Sequence, residues 1–331
     1  MNQEDVISLF DAFNNLKILV IGDVMVDVYL WGTVERISPE APVPVVTCTK
    51  RESRLGGAAN VALNLISMGA YPVLCSVIGD DYNGQVFLDM LKNNKLDDSG
   101  IYKHKSRPTT VKTRIISSHQ HMLRIDEETD KHIEPSLEHD FLNHISQMMS
   151  HHHFDAIIFQ DYDKGTITLK IIEQVIEAAN KNRIPVLVDP KKRFFSQYKH
   201  ISLFKPNFKE FSEGLKTDLN KEDIARIYEA AQTFQRDNGI DLLMVTLSEK
   251  GIFISDSSRY FIIPAHVRAI SDVSGAGDTV ISIASLCVAC KLKTYEIAMI
   301  ANTAGGLVCE KVGVVPIQKE ELKKECLLLF A

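Results

Sequence analysis

Short runs of consecutive apolar residues recur along this chain, and the first, Lys-Ile-Leu-Val-Ile at 17–21, constrains the fold most. A run without polar alternation suits a strand covered on both faces, as in a parallel sheet between helices. Further strands are expected at 73–77, 156–159, 186–188, 201–205 and 242–246. Helical patterns separate them: from Gly56-Gly57 to a C-capping Gly69, then 82–94, 167–180, 207–215 and 221–238. Such alternation implies right-handed crossovers and an α/β fold, with helices over both faces of a mostly parallel sheet. Residues 252–255 and 260–263 read as a hairpin. A chain of 331 residues, 45% of them hydrophobic, can bury a sizeable core.

Two stretches depart from the alternation. Residues 31–46 carry Pro39, Pro42 and Pro44, which exclude a central strand or helix, so a protruding flap is expected, leading into an edge strand at 45–49. Residues 109–124 alternate polar and β-branched side chains and predict a hairpin, with Arg114 near its middle and His119 and His121 near its turn. No carboxylate or cysteine is spaced to join those histidines in a metal site. Flap and hairpin together are expected to form a small sheet outside the main one.

Composition excludes several classes of function. The net charge of −6 is spread without a basic run, which argues against a nucleic-acid partner. No apolar run approaches the ~20 residues of a membrane span, so no membrane association is expected. Residues 1–13 include Glu4 and Asp11 and lack both a basic start and a cleavage site, so no secretory leader is expected. The six cysteines are scattered, and Cys287 and Cys290 fall in an apolar helical stretch that reads as core. A reducing, cytoplasmic compartment follows. The three histidines at 151–153 read as a solvated loop.

The chemistry is concentrated in Ser271-Asp-Val-Ser-Gly-Ala-Gly-Asp278-Thr279, a Gly-rich turn running into a helical pattern. Gly275 and Gly277 let backbone N–H groups approach an anion at a helix start, where the helix dipole also favours negative charge. Asp278 sits in that electropositive turn, which is expected to keep it ionised and able to take a proton from a hydroxyl. The alternative is a plain cap and turn before a buried helix. There is no G-x-x-x-x-G-K-[ST], and strand 17–21 ends in Gly22-Asp23-Val24-Met25, which excludes a P-loop and a classical dinucleotide fingerprint. Asp23 and Asp27 lie beyond that strand's carboxyl end, where they are placed to hydrogen-bond a polyol. Gly56, Gly57 and Asn60 open another helix, permitting close backbone approach and offering an amide. Asn207 and Glu210 share one face of a helix start and suit a hydrated Mg²⁺.

In their order and spacing, Gly56-Gly57-x-x-Asn60, Asn207-x-x-Glu210 and Asp272-x-x-Gly-Ala-Gly-Asp278 resemble the ribokinase-like (PfkB) sugar kinases over nearly the whole chain. The resemblance implies a three-layer α/β/α kinase domain spanning 1–331, with a small β lid inserted at about 31–50 and 107–125. It implies ATP and Mg²⁺ as cofactors. Gly275, Ala276 and Gly277 would stabilise the migrating phosphoryl group, Asp278 would deprotonate the acceptor, and Asn207 with Glu210 would organise Mg²⁺. Thr246, Ser248 and Gly251 resemble the nucleotide-contacting strand end, and Asn302 a residue beside the adenine pocket. Gly22-Asp-Val-Met-Val-Asp27, Arg36-Ile-Ser-Pro-Glu-Ala-Pro-Val-Pro-Val45 and Val188-Asp-Pro-Lys191 look like the D-glycero-β-D-manno-heptose-7-phosphate kinases, often the first half of a bifunctional kinase/adenylyltransferase. Val28 stands where that group commonly has Arg, and Val273-Ser274 where Thr-Thr is usual. Neither departure removes a reacting group.

The expected reaction is ATP-dependent phosphorylation of the anomeric hydroxyl of heptose 7-phosphate. Alternatives are a kinase for another sugar or sugar phosphate, a non-catalytic sugar sensor on the same fold, or a dinucleotide oxidoreductase. A stand-alone kinase and one domain of a longer protein both remain open. Basic candidates for the sugar's distal phosphate are Arg36, Lys112, Arg114, Lys164 and Lys191, and a homodimer through the lid is expected from its apolar Val43, Val45, Ile115 and Leu123.

Overall fold

A computed structural model describes residues 1–117, 120–265 and 271–330. Helix α1 (Gln3–Ala12), closed at its start by a reciprocal capping box between Asn2 and Asp5, leads into β1 (Lys17–Gly22). Two long strands follow, β2 (Val24–Ile37) and β3 (Pro44–Gly57), then α2 (Ala58–Ser67), β4 (Tyr71–Gly79), α3 (Tyr82–Asn93) and β5 (Ile101–His104). After β6 (Val111–Ser117) and β7 (Gln120–Glu127) come α4 (Pro135–His151), β8 (Ala156–Gln160), α5 (Leu169–Lys181), β9 (Val186–Asp189) and β10 (Leu203–Phe204). The chain continues through α6 (Phe208–Leu215), α7 (Ile224–Asn238), β11 (Leu242–Thr246), β12 (Ile252–Ser255) and β13 (Tyr260–Ile263). Helices α8 (Ala276–Ala289), α9 (Thr294–Cys309) and α10 (Lys319–Leu329) complete it.

Nine strands form the main sheet in the order β13-β12-β11-β10-β9-β8-β1-β4-β5. The pairings from β5 to β11 are parallel and those of β12 and β13 antiparallel. Strand β1 shows why the sheet needs helices on both faces. Its Ile18 and Val20 join a core with residues of α2, α8 and α9, whereas Leu19 and Ile21 join a second core with residues of α4, α5 and α7. Successive side chains point to opposite faces, so a run of apolar residues needs two apolar layers. Helix α8 is buried from Asp278 to Cys287, as a helix apolar all round must be. The expected three-layer α/β/α architecture is therefore present.

The second sheet, β3-β2-β6-β7, is larger than the flap and hairpin expected for it. Strands β2 and β3 are each 14 residues long and pair antiparallel along their length, while β6 adds to β2 in parallel. Pro39 and Pro42 fall in the turn between β2 and β3, and Pro44 opens β3, so none interrupts the ladder. By register, Asp27, Tyr29, Arg54, Lys112 and Arg114 share one face. Val26, Val28, Leu55 and Val111 share the other and are buried in the core. Further out, that apolar face is open: Leu123 is 56% exposed and Ile125 46%.

Other differences are local. Residues 201–205 keep only two strand residues, although Lys205 N–H still donates to Val188 O of β9 at 2.8 Å. His151 ends α4 rather than lying in a loop, while 151–153 are exposed as expected. His119 lies outside the described residues. Among the described residues no group of three His, Cys, Asp or Glu side chains is arranged to hold a metal, and no helix is long and apolar enough to cross a membrane.

Candidate active site

Two helix starts meet beyond the carboxyl ends of β1, β8 and β9. Helix α8 begins at Gly275 (φ +79°) and α2 at Gly57 (φ +62°), left-handed conformations in which a side chain would be strained. Neither start has a side-chain cap. The first amide of each is taken by the backbone, Ala58 N–H by Asp23 O at 2.9 Å and Ala276 N–H by Val273 O at 3.3 Å, and the other first-turn amides are suited to an anion. The two helices are joined where Asn60 Nδ2 donates to Asp278 Oδ2 at 2.8 Å.

Asp278 is buried and hydrogen-bonded through both carboxylate oxygens. Its Oδ1 accepts from Tyr162 Oη at 2.7 Å and from Gln160 Nε2 at 3.0 Å. The carboxyl does not keep the low pKa expected of an acid at a helix start. Burial pushes it up to about 6, Asp189 adds to the rise, and the Asn60 and Tyr162 hydrogen bonds and Lys205 offset part of it. The group is still mostly ionised at neutral pH and lies near the pKa best suited to a general base. The acidic limb of kcat/KM is accordingly expected near pH 6, and a limb near 4, the ordinary carboxylate range, would show that Asp278 is not the titrating group.

Around this carboxylate lie a buried Asp189–Lys205 pair at 2.9 Å and a Lys191–Glu210 pair. Lys191 Nζ also stands 5.5 Å from the centre of the Tyr162 ring. Asn207 and Glu210 form a capping box on α6, each side chain accepting the other's backbone N–H. Glu210 therefore has one oxygen on the backbone and the other on Lys191. That donor set suits a hydrated Mg²⁺ touched through water, and a direct protein cage would need more carboxylates than are gathered here.

The two acids after β1 have different tasks. Asp23 accepts from the backbone N–H of Tyr162, Lys164 and Thr166 at 2.9, 3.0 and 3.0 Å, so its carboxylate clamps the loop after β8 and does not face a polyol. Asp27 accepts from Arg114 Nη1 at 2.5 Å, and a Cβ at Gly56 would run into its carboxylate. Of the basic candidates, Lys112 and Lys164 converge on Glu128 at 3.3 and 2.7 Å. Arg114 lies beside them in the sheet, stacked over Tyr29. Lys191 belongs instead with Glu210 and Asp278. Arg36 is exposed at the far end of β2, about 30 Å along the strand from Asp27 at ~3.3 Å per residue, so one chain cannot bring it to the site.

On the other flank, Thr246 ends β11 beside Asn207, Ser248 has φ +58°, and Gly251 (φ +89°) packs against the 263–265 backbone. Asn302 Nδ2 donates to Pro264 O at 2.9 Å, holding that loop. Gln160, Tyr162, Lys205, Glu128 and Arg107 were not anticipated. The available signal was Gln160-Asp161-Tyr162 directly after a buried strand, the position where ligand-facing groups of an open α/β sheet collect. Arg107 Nη2 bonds Lys164 O at 2.6 Å, while its buried Nε has no partner.

Comparison with known proteins accords with this geometry. The model of the pfkB family carbohydrate kinases matches residues 15–320. The bifunctional protein HldE of Helicobacter acinonychis is 40% identical over 306 residues, covering 92% of this chain and 65% of the relative. That of Geotalea uraniireducens is 38% identical over 327 residues, covering 98% and 66%. The chain thus spans just under two thirds of those relatives. Phosphofructokinase-2 from Escherichia coli, in complex with fructose-6-phosphate, shares the fold at 18% identity, with a TM-score of 0.76 over 95% of this chain and 99% of that one. Arabidopsis thaliana ribokinase complexed with ribose and ATP does so at 17% identity, TM-score 0.69, over 93% and 99%. The chain belongs to the pfkB family of carbohydrate kinases and is an ATP-dependent kinase of a carbohydrate hydroxyl.

Proposed function

We propose that the acceptor is the anomeric hydroxyl of D-glycero-β-D-manno-heptose 7-phosphate and the product heptose 1,7-bisphosphate, a precursor of lipopolysaccharide. The observation that carries this reading is the Lys112–Glu128–Lys164 cluster, a pair of lysines tied to the same loop that bears Tyr162 and reaches Asp278. A sugar with its hydroxyl at Asp278 would extend its distal phosphate toward those lysines. The likeness of residues 36–45 and 188–191 to heptose 7-phosphate kinases supports the choice of sugar.

In the proposed reaction Asp278 Oδ2 receives the hydroxyl proton as the oxygen attacks the γ-phosphorus of ATP, whose bond to the β,γ-bridging oxygen breaks to release ADP. The Gly275 and Gly277 amides would face the transferring group, where developing charge is stabilised most in a dry site, while Ala276 N–H between them donates to Val273 O at 3.3 Å. Asn60 fixes the carboxylate. Lys191 and Lys205 are the nearby cations for the donor phosphates. Mg²⁺, touched through water by Glu210 and Asn207, would neutralise the phosphate oxygens. Thr246, Ser248, Gly251 and Asn302 would border the nucleoside. A screen of phosphoacceptors by coupled ADP release tests the reading; turnover of free sugars alone would overturn it.

The second sheet is proposed as a lid whose outer apolar face joins two copies of the chain. Leu123 and Ile125 are exposed there, Val43 and Ile37 are 52% and 60% exposed at the outer end of β2 and β3, and Val45 and Ile115 are half-buried. An apolar sheet face with an open edge favours association. Leu123→Glu is expected to convert a dimer into a monomer in sedimentation velocity; a wild-type monomer at micromolar concentration would contradict the proposal.

A further inference from the structure

We propose that Tyr162 is a positioning residue for the phosphoryl transfer: its hydroxyl, with Gln160, occupies Oδ1 of Asp278 and so directs the acceptor hydroxyl to Oδ2. The inference rests on Asp278 being the base. A carboxylate oxygen has two lone pairs in its plane. Oδ1 takes both Tyr162 Oη at 2.7 Å and Gln160 Nε2 at 3.0 Å, so it is full. Among the described residues Oδ2 takes only Asn60 Nδ2, at 2.8 Å, and so keeps one lone pair. That oxygen lies beside the Gly275 helix start, since its donor Asn60 Nδ2 would come within 2.9 Å of a Cβ at Gly275. An alcohol docked there places its oxygen next to the amides that receive the phosphoryl group.

Tyr162 is held for this task from both ends. Its backbone N–H is fixed by Asp23 at 2.9 Å, and the neighbouring N–H groups of Lys164 and Thr166 bond the same carboxylate. The clamp explains why a buried acid follows β1 although it contacts no open space. The Tyr162 hydroxyl is itself buried, and burial together with Asp278 keeps it protonated well above its ordinary range, so it donates at every working pH. Charged groups also bear on Asp278 from the elements around it: Asp189 at the end of β9, Lys205 after β10, and Lys191 after β9, with Asp27 of β2 facing Tyr162. Asp161, pushed up to about 7 by burial and by Asp23, turns its carboxylate to Tyr198 and the backbone of Asp163. It does not bond Asp278.

The test is the pH dependence of kcat/KM. Tyr162→Phe keeps the ring and removes the donor that favours ionised Asp278, so the acidic limb should move up by about one pH unit, roughly a tenfold loss below pH 6 with much less loss at pH 8. Fluorotyrosine at 162, a stronger donor that keeps both ring and hydroxyl, should move the limb down. Asp161→Asn should leave the limb where it is. A uniform loss at all pH values with an unmoved limb in both Tyr162 variants would overturn the proposal and leave Tyr162 a packing residue. Failure of the underlying assignment looks different: the wild-type limb near pH 6 would then persist in Asp278→Asn.

Discussion

Asp278→Asn is expected to lower kcat by about 10²–10⁴-fold, the usual contribution of a general base, with ATP and sugar affinities little changed. The asparagine keeps an oxygen for Tyr162 and Gln160 at Oδ1. Its new amide would oppose the Asn60 amide that now donates to Oδ2, so Asn60 has to turn over, a local adjustment. Stability should respond in the opposite sense. Because burial raises the folded pKa of Asp278 to about 6, above the ordinary carboxylate value, the folded state binds the proton more tightly than the unfolded state. Its ionisation therefore weakens the fold progressively as pH rises from about 4 to 6, and the penalty is fully present above that window. The neutral variant escapes it, by roughly 2–3 kcal/mol before the Asn60 adjustment is set against it. Thermal melts should show Asp278→Asn more stable than wild type at pH 8 and equal to it below pH 4. A variant with wild-type kcat would remove Asp278 from the mechanism.

The second large effect concerns the substrate's distal phosphate. Free heptose offers the same anomeric hydroxyl, so any preference must come from groups remote from the reacting atoms. Lys112 and Lys164 share Glu128, and each could exchange or share that carboxylate for a phosphate oxygen. Two charge-assisted hydrogen bonds contribute ~1.5–3 kcal/mol each, so removing the phosphate should cost on the order of a hundredfold or more in kcat/KM. Lys112→Met and Lys164→Met should erase that discrimination while leaving KM for ATP unchanged. Arg114 is a poorer probe, because its loss would leave Asp27 buried without a partner and destabilise the sheet. Equal kcat/KM for the two sugars would assign the protein to free-sugar kinases.

The parallel sheet was legible because strands buried on both faces need uninterrupted apolar residues, and 17–21, 156–159 and 242–246 have them. The long β2 and β3 were not. Their outer halves carry charges and end near prolines, a pattern that also fits an irregular flap, and only pairing with each other makes them strands. Gly275 to Asp278 and Gly57 to Asn60 could be picked out singly, since a glycine opening a helix is a local signal. What each acid does was beyond local reading: Asp23 and Asp27 are four residues apart, yet one holds a loop and the other an arginine. The same holds for Lys164 and Lys191, alike in sequence context but paired with different carboxylates, and for Tyr162, whose partner Asp278 is 116 residues away. The pKa of Asp278 was misjudged for the same reason. Its helix position is local, whereas the burial that dominates is tertiary.

Phosphorylation of the anomeric hydroxyl is tested most directly by ³¹P NMR of the product formed from ATP and D-glycero-β-D-manno-heptose 7-phosphate. It predicts one new phosphate resonance coupled to the anomeric proton, beside the retained 7-phosphate, appearing in step with ADP. A phosphate on any other carbon, or ADP formed without a new sugar phosphate, would contradict it.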